Sequence, residues 1–169
     1  MRINIRLVGR SVVALLAMTS LAAAATDLRL VDAARGRDTE AVRRLLNEGV
    51  PVNASRPDGF TALHWAVQSE KADIADLLIR AGASVSAADN YGVTPLLLAC
   101  TNGSVPMVDL LLEAGANPNA AQAYGETVLM TCARTGALDA VKALLARGAE
   151  VNAKETAEGQ TALMWAAAE

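Results

Sequence analysis

The chain's 169 residues carry 15 basic and 18 acidic side chains, a formal charge of −3, and only 3% aromatic residues. Arg2, Arg6 and Arg10 are the only charged groups of the first 25 residues; the remainder holds 12 basic against 18 acidic residues, a net charge of −6. That balance argues against a nucleic-acid partner, whose phosphates are held mainly by Lys and Arg. Two cysteines are too few for a disulfide framework, and so few aromatic rings leave Leu, Ala, Val and Ile to build the core.

Residues 1–25 read MRINIRLVGRSVVALLAMTSLAAAA: a basic start, an apolar run from Ser11 to Leu21, and an alanine tract with small residues where a signal peptidase needs them. The run is shorter than the ~20 residues that span a bilayer. The expectation is a secretory signal peptide cut near Ala25 that sends the chain to a bacterial periplasm or outside the cell, with an uncleaved anchor as the alternative. No Cys near the cut points to a lipoprotein, and no Arg-Arg pair points to the twin-arginine route.

The rest, residues 26–169, repeats. Gly59, Gly92 and Gly125 are 33 residues apart and Gly159 follows after 34; Thr61, Thr94, Thr127 and Thr161 keep step, as do Leu63, Leu96, Leu129 and Leu163. Gly49, Gly82, Gly115 and Gly148 form a second comb of 33. Such a period marks a stack of supersecondary units, each burying its apolar face on the next. Residues 26–55 are a degenerate first unit: Leu30 and Ala33 match Leu63 and Ala66, while Arg29, Asp32, Arg35 and Arg37 give the polar face expected of an N-terminal cap.

Full units follow at 56–88, 89–121 and 122–154. In the middle one, Thr94 suits a helix N-cap with Pro95 at the first helical position. Gly103 ends that helix, and Ser104 is expected to cap a second, whose Val108, Leu111 and Leu112 form its apolar stripe. Gly115 supplies the left-handed residue that closes it, and Asn117-Pro118-Asn119 leads through a turn into the next unit.

These units resemble the ankyrin repeat. The matching motifs are D-N-Y-G-V-T-P-L at 89–96, G-F-T-A-L-H-W-A at 59–66, G-A-N-P-N-A at 115–120 and G-A-E-V-N-A at 148–153. The resemblance implies an all-α solenoid of helix-turn-helix units with projecting loops. His64 alone keeps the family's His, replaced by Leu97, Met130 and Met164, so a hydrogen-bond belt attributed to that His is expected to be incomplete. The partial unit 155–169 has a first helix and no second, which predicts poor cover for Leu163 and Trp165 and suggests the front part of a longer array.

Cys132 takes the core place of Ala66, Ala99 and Ala166, with Cys100 one residue further on in its own unit. Packed helices lie about 8 to 10 Å apart, beyond the roughly 7 Å Cα separation a disulfide tolerates. Two buried free thiols are therefore expected.

Nothing in the chain reads as catalytic. There is no Gly-rich phosphate loop after a strand, no nucleophile elbow and no Cys and His spacing for zinc, so no enzyme, cofactor or metal is expected. The resemblance instead implies a protein-protein interaction scaffold. A protein partner would be held by loop tips and the exposed side of the first helices, which line a concave groove. Carried over by position, this selects Asp58, Phe60, Asn90, Tyr91, Val93, Tyr124 and Glu126 on the tips. On the helices it selects Gln68, Ser69, Thr101, Asn102, Arg134 and Thr135. Phe60, Tyr91 and Tyr124 stand out, because aromatic side chains favour interface hot spots; Trp65 and Trp165 read as core between units. The chain is expected to be a monomer, and the competing reading is the recognition part of a longer enzyme whose catalytic region lies beyond residue 169.

Overall fold

A computed structural model describes residues 27–168; the segment that reads as a signal peptide lies outside the described residues. Among these, nine helices alternate between two rows. The first-helix row contains α1 (Arg29–Arg35), α3 (Ala62–Gln68), α5 (Pro95–Thr101), α7 (Val128–Arg134) and α9 (Ala162–Ala167). The second row contains α2 (Thr39–Asn47), α4 (Ala72–Arg80), α6 (Val105–Glu113) and α8 (Leu138–Ala146). Each helix packs on the next of its own row, and the two helices of each complete unit pack on each other. No strands form among the described residues; only isolated bridges pair Ser55 with Thr61 and Ala121 with Thr127 where the loops turn back. The fold is the all-α solenoid that the repeats imply.

The threonine comb explains the first-helix row. Thr61, Thr94 and Thr127 are extended at the N-cap and accept a bond from the third residue's N–H, at 3.5, 3.3 and 3.3 Å. His64 closes the first box from the other side. Its buried ring accepts from the Thr61 N–H at 3.2 Å through Nδ1, and Nε2 donates to the Val93 carbonyl in the next loop at 3.1 Å. These partners assign the neutral tautomer, and burial holds the imidazole pKa below its ordinary value. Leu97 offers no such acceptor, but Met130 does: the Thr127 N–H lies 3.4 Å from its Sδ. At Thr161 no cap bond forms.

The second helices start differently from expectation. Ser104 sits at the N-cap of α6, but its side chain makes no cap bond. The tight turn does the work through the backbone, since Ser104 N–H returns to the Ala99 carbonyl at 3.0 Å and the Ser104 carbonyl accepts from Val108 at 3.0 Å. Lys71 and Ala137 start α4 and α8 the same way, without a capping side chain.

The core is a ribbon between the rows. Leu63, Leu78, Leu96, Leu111, Leu129 and Leu144 are buried one unit after another, with Ala66 and Ala99 as small spacers. The expectation of free thiols fails: Cys100 of α5 and Cys132 of α7 form a disulfide, with a Cα separation of 4.7 Å. The 8 to 10 Å spacing of packed helices is measured between axes, whereas Cα atoms stand about 2.3 Å off the axis. Two residues on facing sides therefore come within about 4 to 5 Å when small neighbours let the helices close up. Both sulfurs are buried.

The loops stack as tightly as the helices. Asn53 donates to the Gly82 carbonyl and accepts from Ser84 N–H at 2.8 Å, and Asn119 repeats this with Gly148 and Glu150 two intervals later. At Gly59, with φ +91°, an added Cβ would stand 2.7 Å from the Asp89 Cα, so only glycine lets the loops approach.

Candidate partner-binding surface

Loop tips at 58–60, 91–93 and 124–126 project beyond the first-helix row, and each is fixed by its own carboxylate or by the loop before it. Asp58 Oδ1 accepts from Phe60 N–H at 3.0 Å, and Asp89 Oδ1 accepts from Tyr91 and Val93 N–H, both at 2.8 Å. A fourth turn, at 155–160, carries the extra residue of the 34-residue interval from Gly125 to Gly159. Glu155 spans its extra residue with a longer side chain, accepting from Ala157, Glu158 and Gln160 N–H at 2.6, 2.9 and 2.8 Å. Those backbone donors, led by Gln160, hold its carboxyl below the usual carboxylate range.

Within this frame the selected residues fall into two groups. Asn90, Val93, Asn102, Ser69 and Thr135 are engaged by bonds or packing within the stack, although Asn90, Asn102 and Thr135 remain exposed. Asn90 reaches the Asp58 and Pro57 carbonyls, and Asn102 Nδ2 donates to the Val67 carbonyl of α3 at 3.2 Å. Val93 packs on the core and receives His64, Ser69 Oγ returns to Trp65, and Thr135 Oγ1 bonds the Cys100 carbonyl across the disulfide-linked pair. Thr101 Oγ1 donates back to Leu97, and Glu126 accepts from Thr131 Oγ1 at 2.9 Å. Phe60 lies against the His64 and Trp65 rings, at centroid distances of 4.9 and 5.3 Å.

The second group faces outward. Tyr91 and Tyr124 are 72% and 76% exposed, although their own backbone carbonyls accept from Ala123 and from Thr156 in the following loops. The tips are thus rigid in backbone and free in side chain. Gln68, Asp58 and Arg134 are exposed too.

Three residues not selected from sequence join this surface. Trp65 and Trp165 are half-buried against the core, so the poor cover expected of the partial unit holds for Leu163 and not for Trp165, and each indole is also covered by an arginine of the preceding first helix. Arg35 lies 5.2 Å from the Trp65 ring centroid, and Arg134 5.6 Å from that of Trp165. Beside Trp165 an open cavity of about 410 Å³ is lined by Glu126, Arg134, Gln160, Trp165 and Ala168. The signal was available in the repeat register, since Arg35 and Arg134 share one position and Trp65 and Trp165 another.

The C-terminal end of the stack has another character. Leu129, Ala133, Val141, Leu145, Leu163 and Ala166 line a wholly apolar groove of about 170 Å³. Among the described residues no cluster of His, Cys, Asp or Glu side chains is placed to hold a metal ion, and no helix is long and apolar enough to cross a membrane.

Comparison with known proteins agrees with the stacked units. The model of a family described as ankyrin repeats (3 copies) matches residues 30–122 and 115–169. No curated protein matches the chain. Ankyrin repeats are generally protein-protein interaction modules and typically non-catalytic. The match takes in most of the sequence, so this chain belongs to the ankyrin-repeat family.

Proposed function

We propose that this chain is an exported, non-catalytic scaffold, acting as a monomer, that holds a protein partner along its loop tips and first-helix row. The observation that carries the reading is the pair of exposed tyrosines, Tyr91 and Tyr124, on tips whose backbones are already bonded in place. A preformed surface loses little ordering entropy on binding, and Tyr contributes large contact area. Two features support export: the basic, apolar segment 1–25 and the Cys100–Cys132 disulfide, which persists in oxidising compartments and is rare in the cytosol.

The test is photo-crosslinking from the exposed position 68, which leaves both tyrosines in place, in a bacterial periplasmic fraction, with the mature N-terminus read by mass spectrometry. The expected result is a discrete crosslinked protein that Tyr91→Ala and Tyr124→Ala weaken at least tenfold without lowering Tm. Undiminished capture by the double variant would remove the tips from the binding surface, and an intact residue 1 in the periplasmic protein would refute cleavage.

A further inference from the structure

The two arginine–tryptophan pairs repeat one arrangement at opposite ends of the first-helix row. Arg35 closes α1 over Trp65 of α3, and Arg134 closes α7 over Trp165 of α9. Between them the same two positions hold Gln68 with Leu98, then Thr101 with Thr131, so the middle of the row is uncharged.

Both arginines are exposed, and among the described residues neither has a carboxylate within 4 Å. The ion pairs that do form engage Arg29, Arg43, Arg44, Arg56, Arg80 and Lys142. A guanidinium laid over an indole still presents its N–H groups at the edge, in the fork that matches a carboxylate. Both indole N–H groups are shielded and have no acceptor among the described residues. Glu126 stands across the cavity from Arg134 with its Oε1 occupied by Thr131.

We infer that Arg35–Trp65 and Arg134–Trp165 are twin anchors for two carboxylates of one extended acidic peptide segment of the partner protein. The inference rests on the scaffold reading above and names the chemistry that the row selects. Charge complementarity identifies the occupant: the helices of the row offer cations at the two ends and carry no charge between them, while the acids of this surface, Asp58 and Glu126, stand on the loop tips. Three helix-to-helix steps of about 8 to 10 Å separate the anchors. An extended chain rising about 3.3 Å per residue covers that span in about seven to nine residues.

The experiment is selection of a random 15-residue display library on the immobilised full chain with its disulfide intact, followed by titration of the synthetic peptides obtained. Expected are peptides with Asp or Glu at two positions about seven to nine residues apart. Arg35→Gln and Arg134→Gln should each weaken them about tenfold or more with Tm unchanged, as loss of a charge-assisted hydrogen bond does. Arg134→Lys should recover part of the loss, and Glu126→Gln should tighten binding several-fold, which a merely structural role for either residue would not produce. Selected peptides with no acidic requirement overturn the inference and leave protein capture standing. A library that yields no peptide also overturns it, and the crosslinking experiment then decides separately whether a folded partner binds.

Discussion

The middle of the stack and its C-terminal unit use the same sequence pattern and reach different degrees of order. In the middle, Thr94 caps α5, Leu96 and Leu111 are covered by units on both sides, and a disulfide ties α5 to α7. In the last unit Thr161 makes no cap bond, and Leu163, at the position of Leu96, is 75% exposed. The first-helix pattern therefore supplies only part of a unit's stability; a second helix and a neighbour on the far side supply the rest.

Substitution at matched depth gives the largest test of that contrast. Leu111→Ala should cost about 4 kcal/mol, as for a fully buried leucine, measured by urea unfolding; a cost below about 1 kcal/mol would mean that the buried face does not hold the stack together. Opening the covalent tie should come next. Replacing Cys100 and Cys132 by Ser should cost about 3 kcal/mol, because the link closes a sequence separation of 32. Non-reducing mass analysis should find no free thiol in the native or the denatured chain.

Acid should act on the two sides at different pH. His64 must stay neutral to accept from Thr61. Its folded pKa is below the ordinary 6.5, so the unfolded chain binds the extra proton and stability falls as pH drops through and below 6.5. The Glu155 carboxylate is held below its ordinary 4.5, so its contribution is complete above that value and is lost only as pH falls further. A melting curve flat from pH 7 to 5 would contradict the His64 assignment. The smallest effect should be Leu163→Ala, within about 0.5 kcal/mol, and hydrogen exchange should be faster in Thr161–Ala168 than in Thr94–Thr101.

Much of this was legible in the sequence because a repeat reports its own register. Thr94 before Pro95 and Gly115 after the second helix each serve as a local rule requires, and the combs align them in space. What escaped depends on direction rather than spacing. Cys100 and Cys132 meet because they face each other across two helices, which an axis-to-axis distance conceals. Met130 replaces a histidine as acceptor with a sulfur, an option that capping preferences do not include. Arg35 and Trp65 are 30 residues apart and become neighbours only after α1 docks on α3. For the tips, sequence position selects Tyr91 and Asn90 alike; only the bonds from Asn90 to the preceding loop distinguish a projecting side chain from one used in construction.

The Cys100–Cys132 link also has a mechanical meaning. A solenoid pulled by its ends can pay out one unit at a time, because no contact joins units that are not adjacent. Here the chain between the two sulfurs is a closed ring whose ends stay 4.7 Å apart, so tension bypasses it. At about 3.4 Å per residue, about 100 Å of contour is withheld from extension. Stretched to its limit, the protein would keep the stretch from Cys100 to Cys132, shared by two units, slack until a reductant, rather than force, released it.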